Sequence, residues 1–116
     1  MNALWTGNGT LADLSGNGNT LTNVGDTYGT GMNGQAFSLN GSAYLTDPSP
    51  AFSLAAANFT ISALANFTTL NTSIEPNLPN TLVAQDDGGG VNNKWVMYCD
   101  SSDGSPGFHE NVSNAR

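Results

Sequence analysis

Positive charge is almost missing from this chain of 116 residues. Lys94 and Arg116 are its only Lys and Arg, against nine Asp and Glu, and the net charge is −7. Binding nucleic acid through its phosphates needs a basic patch, and two cations do not make one. An anionic lipid surface would repel the chain for the same reason. Cysteine is scarce too: Cys99 stands alone, so no intrachain disulfide can form. It lies in Trp95-Val96-Met97-Tyr98-Cys99-Asp100 with no basic neighbour to activate it, and reads as a small strand hydrophobe rather than a nucleophile. No apolar run is long enough for a membrane-crossing helix. Met1-Asn2-Ala3-Leu4-Trp5 has neither the basic n-region nor the apolar h-region of a signal peptide, so export information is expected outside this sequence or not at all. Helix-forming runs rich in Ala, Lys or Glu are missing as well.

What is present favours turns and short strands. Glycine occurs 14 times, Asn, Ser and Thr are frequent, and only 38% of residues are hydrophobic. Two Trp, three Tyr and five Phe supply the material for a packed sheet. The length allows one domain at most, taken as residues 1–116. Strand candidates separated by turn chemistry are Ala3 to Thr6, Leu21 to Val24, Gln35 to Leu39, Ala43 to Thr46, Thr81 to Ala84 and Lys94 to Asp100, with a last one starting at Gly107-Phe108-His109. The stretch from Asn58 to Phe67 alternates, with Phe59, Ile61, Ala63 and Ala65 on one face. Thr68 to Asn80 reads as a polar loop carrying Pro76 and Pro79. No helix of convincing length is expected, and spacing of this kind predicts an all-β sandwich or jelly roll.

Gly29-Thr30-Gly31-Met32-Asn33-Gly34 matches G-x-G-x-x-G. A dinucleotide fingerprint must open a helix whose N-terminus faces the pyrophosphate. Here Gln35-Ala36-Phe37-Ser38-Leu39 follows with a period of two, and Asn40-Gly41 supplies a turn into Ser42-Ala43-Tyr44-Leu45-Thr46. The expectation is a β-hairpin made by these two strands, not a nucleotide site.

Catalytic constellations are thin. Glu75 and Glu110 are the only glutamates and lie far apart in sequence. His109 is the only histidine, and no G-x-S-x-G or H-E-x-x-H occurs. The chain is expected not to be an enzyme. Asp86-Asp87-Gly88-Gly89-Gly90 and Asp100-Ser101-Ser102-Asp103-Gly104 read as solvated turns. Sugar binding would need an exposed aromatic platform, for which Trp5, Trp95, Tyr28, Tyr44 and Tyr98 are available. N-x-S/T sequons at Asn8, Asn40, Asn58, Asn66, Asn71 and Asn111 follow from the composition, and glycosylation is not expected.

Several segments together resemble a known family. Asp13-Leu14-Ser15-Gly16-Asn17-Gly18-Asn19 resembles the D-x-S-G-N-G-N loop of the concanavalin A-like, laminin G-like jelly-roll superfamily, with Trp5 in the place of the aromatic strand before it. Gly31-Met32-Asn33-Gly34-Gln35-Ala36-Phe37-Ser38-Leu39-Asn40-Gly41 is similar to the family's G-x-x-G-x-A-L-x-F-N-G segment. Phe59-Thr60-Ile61-Ser62-Ala63-Leu64 is similar to its F-T-I-S-A-W strand, with Leu64 where Trp is usual. Thr81-Leu82-Val83-Ala84 and Trp95-Val96-Met97-Tyr98 fit the next two strands. The resemblance implies an antiparallel β-sandwich of which this chain holds the N-terminal part, ending before the family's last strands.

The loop at Asp13 is the best candidate site. Asp13, Ser15, Asn17 and Asn19 offer carboxylate, hydroxyl and amide oxygens within seven residues, the ligand types Ca²⁺ prefers. The same residues also suit loop capping through Asx-turns, and both readings stand at this point. Calcium is the one cofactor the sequence points to. The resulting expectation is a calcium-stabilised, non-catalytic binding or adhesion module for carbohydrate or protein surfaces, extracellular or on a cell or virion surface, without membrane insertion. The alternative is a structural subunit of a filament, virion or surface layer that self-assembles, its neighbours completing the sheets.

Overall fold

A computed structural model describes residues 1–47, 58–71, 80–85, 94–100 and 103–111. Among them the structure is all-β, with antiparallel strands and no helix. The chain divides into two compact units, Met1–Ser53 and Leu54–Arg116.

The first unit is built on one interrupted hairpin. Strands β1 (Thr22–Val24) and β2 (Thr27–Thr30) run out, and β3 (Gln35–Ser38) and β4 (Tyr44–Thr46) run back. The inner ladder pairs Tyr28 with Phe37 and Thr30 with Gln35, and the outer pairs Thr22 with Thr46 and Val24 with Tyr44. Between the ladders, Gly25 and Asp26 on one side face the longer segment Leu39 to Ala43 on the other, so register is broken and reset. The Tyr28 and Phe37 rings lie 5.8 Å apart, a cross-strand aromatic contact that fixes the inner register.

The expectation for the glycine-rich stretch holds in outline and needs correcting in detail. Gly31 to Gly34 is a hairpin tip, closed by the Gly31 N–H donating to the Gly34 carbonyl at 2.9 Å, and a strand follows it rather than a helix. However, β3 does not pair with β4; it pairs with β2, a strand the sequence reading did not include. Asn40-Gly41 is therefore a corner and not a hairpin turn. Asn40 Oδ1 accepts the N–H groups of Ser42 and Ala43 and the Ser42 hydroxyl, each at 3.0 Å, and this Asx geometry carries the chain from one ladder to the next. Ala3 to Thr6 is not a strand either. Its backbone is held by the loop at Asp13, with Leu14 N–H donating to the Leu4 carbonyl at 2.8 Å.

The second unit is a three-stranded sheet in the order β5 (Thr81–Gln85), β6 (Lys94–Cys99), β7 (Pro106–Asn111). Consecutive residues Trp95 and Val96 are both buried, each 6% exposed. Neighbours on a strand point to opposite faces, so β6 is covered on both. A bulge between Thr81 and Val83 shifts the β5 register. The turn from β6 to β7 is tied by the Asp100 N–H on the Ser105 carbonyl at 2.8 Å and the Ser105 N–H on Asp103 Oδ1 at 2.8 Å, as expected for an acidic turn. Hydrogen bonds from the Ser105 side chain and backbone hold the Asp103 carboxyl below its ordinary pKa.

The stretch from Asn58 to Phe67 forms no strand. Phe59 and Ile61 are half-buried, while Ala63 and Ala65 are exposed and Leu64 is 78% exposed. The alternation is present, but the described residues give this backbone no ladder partner. The expected loop at Asp86 to Gly90 and most of the polar loop from Thr68 to Asn80, with Glu75, Pro76 and Pro79, lie outside the described residues.

Candidate functional site

The Asp13 motif folds into a latch over the start of the chain. Asp13 Oδ1 accepts the Leu4 N–H at 2.9 Å and the Ser15 N–H at 2.8 Å. Oδ2 accepts the Ser15 hydroxyl at 2.8 Å, the Asn19 N–H at 3.0 Å and Asn19 Nδ2 at 3.2 Å. Asn17 Nδ2 reaches the carbonyls of Met1 and Asn2 at 3.0 and 3.1 Å, and Asn19 Nδ2 reaches the Asn2 carbonyl at 2.8 Å. Trp5 Nε1 donates to the Asn19 carbonyl at 2.6 Å. Gly16 and Gly18, with φ of 87° and 81°, let the chain curl tightly enough to present these groups inward.

All four residues read from the sequence are thus brought together: Ser15 and Asn19 on the Asp13 carboxylate, and Asn17 on the Ser15 hydroxyl. Partial withdrawal from water works against the charged form of Asp13. The Ser15 hydroxyl and the Leu4, Ser15 and Asn19 amides outweigh it and hold the carboxyl well below the usual carboxylate range. The donors set the chemistry. A carboxylate offers about four lone-pair sites, and here N–H and O–H groups already address both oxygens. A calcium ion at Asp13, Ser15, Asn17 and Asn19 would have to displace them. Among the described residues, no group of three or more His, Cys, Asp or Glu side chains gathers in a metal-binding arrangement.

The second candidate surface lies on the three-stranded sheet. Trp95 and Phe108 stand on one face as diagonal neighbours across β6 and β7, with ring centroids 6.2 Å apart and planes 19° from parallel. Phe59 packs against both, at 5.8 Å from Trp95 and 6.3 Å from Phe108. Trp95 is anchored by Nε1 donating to Gln85 Oε1 at 2.9 Å across the β5–β6 ladder. Phe108 remains 49% exposed. On the opposite face the Tyr98 ring lies directly over Gly107, its cross-strand partner.

Of the aromatics read as possible platforms, Trp95 is in the core, Trp5 is spent on the latch, Tyr28 is half-buried against Phe37 and Tyr98 is half-buried over Gly107. Tyr44 is 55% exposed on β4. Phe108, which the sequence reading did not include among them, is the exposed ring backed by a stack. Its signal was its place on β7, which among the described residues pairs with β6 alone. His109 is exposed on the same strand, opposite Val96, and Cys99 ends β6 half-buried. Comparison of the chain with family models, with curated proteins and with solved structures finds no match, so the laminin G-like resemblance rests on its sequence segments alone.

Proposed function

We propose that this chain is a non-catalytic binding module of laminin G-like sandwich type, which engages a carbohydrate or protein surface through the aromatic face of its three-stranded sheet. The observation that carries the proposal is Phe108. It is half-exposed, stacked on a buried Trp95 and braced by Phe59, which makes a supported apolar ring on the strand β7. Rings held in this way lose little conformational entropy on contact, and sugar C–H faces and apolar protein side chains both favour them. The net charge of −7 favours neutral or basic partners over anionic ones. An extracellular or cell-surface setting belongs to this reading. Within it the Asp13 motif works as a latch that fixes the first unit.

The test is a glycan array and a panel of extracellular matrix proteins, probed with the wild-type chain and with Phe108→Ala. Binding lost in the variant while the fold persists would support the proposal. Binding unchanged in the variant would remove the aromatic face from it.

A second reading is favoured by the strand edges. Among the described residues every strand except β6 has a single partner, and Leu14, Leu39, Tyr44 and Leu64 are each more than half exposed. Edges and apolar residues of this kind suit a subunit of a filament, virion or surface layer, in which neighbouring copies add strands. Concentration-dependent assembly in the absence of any sugar would favour this reading over the first.

A further inference from the structure

Two carboxylates of the first unit are treated in opposite ways. Asp13 is surrounded by donors. Asp26 has none: the residue is 8% exposed, and both carboxylate oxygens are buried without a hydrogen-bond partner among the described residues. Its backbone is pinned at the corner between β1 and β2. Asn23 Oδ1 accepts the Asp26 N–H at 2.7 Å, and Asn23 Nδ2 donates to the Asp26 carbonyl at 3.0 Å. This reciprocal pair holds the Asp26 backbone, while its carboxylate points into the protein without a donor among the described residues. A buried carboxylate without a counter-charge is strongly unfavourable. Residues 1–53 contain no Lys, Arg or His, so this unit has no side-chain cation to offer.

We propose that Asp26 is a cation site, and that the ion is a hard one of the Ca²⁺ class. Neither carboxylate oxygen is committed to a hydrogen-bond donor among the described residues, so both lone-pair sets are unspent. The ligand types that complete such a site are main-chain and amide carbonyls and water, and this Asn- and Gly-rich corner is made of those groups. Soft metals are disfavoured, because residues 1–53 also lack Cys and His. The proposal does not depend on which surface the module binds, and it places the cation away from the Asp13 motif.

The experiment is thermal unfolding of the full chain in EDTA, and then with Ca²⁺ or Mg²⁺ up to about 10 mM, above the weakest class of protein calcium sites. The wild type is expected to rise in Tm on the order of 5 °C or more with at least one of the two ions. Asp26→Asn, which removes the buried charge and keeps the shape, is expected to match or exceed the wild type in EDTA and to show no ion response. Asp13→Asn is expected to keep the response. A second readout needs no variant: the assigned carboxyl ¹³C resonance of Asp26 should move on adding the ion, and that of Asp13 should not. No response of the wild type to either ion would overturn the proposal. A response that survives Asp26→Asn, or a shift at Asp13 instead of Asp26, would overturn it too.

Discussion

Asp13 shows how one side chain can organise a loop that the sequence marks only as polar. Its pKa in the folded state lies below its unfolded value, so its contribution to stability is complete above about pH 4. That contribution is lost as the pH falls further, through the folded-state value. Asp103, lowered in the same direction, adds to the loss in the second unit. In urea titrations the wild type should therefore lose midpoint steadily between pH 4 and 2. Asp13→Asn should be less stable than the wild type at pH 7, and the difference should shrink toward pH 2. A difference that stays constant with pH would mean that the latch does not depend on the carboxylate's charge. The clustering of Asp13, Ser15, Asn17 and Asn19 was legible because the motif is local. The direction of its hydrogen bonds was not, because Leu4 lies in Ala3 to Thr6, which reads as a strand, and the carbonyls of Met1 and Asn2 carry no side-chain signal.

At the scale of elements, two glycines separate kinds of close approach. A Cβ at Gly31 would lie 2.6 Å from the Gln35 carbonyl oxygen, which is backbone and cannot move without opening the β2–β3 hairpin. A Cβ at Gly107 would meet the tip of the Tyr98 ring, which can swing aside. Gly31→Ala should cost about 2 kcal/mol and Gly107→Ala about 1 kcal/mol or less, measured by chemical denaturation. Equal costs would contradict the hairpin geometry. Trp95→Ala should cost about 3–5 kcal/mol, since it removes the ring that packs β6 against Phe59 and Phe108. Strands β1, β3, β4, β5 and β6 were legible from alternation and turn residues, and the start of β7 from Gly107-Phe108-His109. Strand β2 was not, because Gly29 and Gly31 mask the Thr27-Tyr28-Thr30 pattern, and its real signal is Tyr28 opposite Phe37 across the hairpin. The stretch from Asn58 to Phe67 erred the other way: alternation chooses a face, but a ladder also needs a partner backbone, and sequence periodicity does not supply one.

For the whole molecule, the buried hydrophobic residues among those described are Trp95 and Val96 alone. Ten large hydrophobic side chains among the described residues, from Met1 to Phe108, stay exposed. Composition foretold this, since a chain with so many Gly, Asn, Ser and Thr has little apolar surface with which to build a deep core. It did not foretell that the chain would divide into two units, because that depends on which strands pair over long separations. As the proposed binding module, the chain meets a partner through its exposed Phe108 rather than tiling a lattice of its own copies. Size-exclusion chromatography with light scattering, run over a range of concentrations with and without Ca²⁺, tests that claim most directly. One species at the 12.0 kDa monomer mass is expected throughout. Oligomers that grow with concentration would contradict it and make assembly the function of these strand edges.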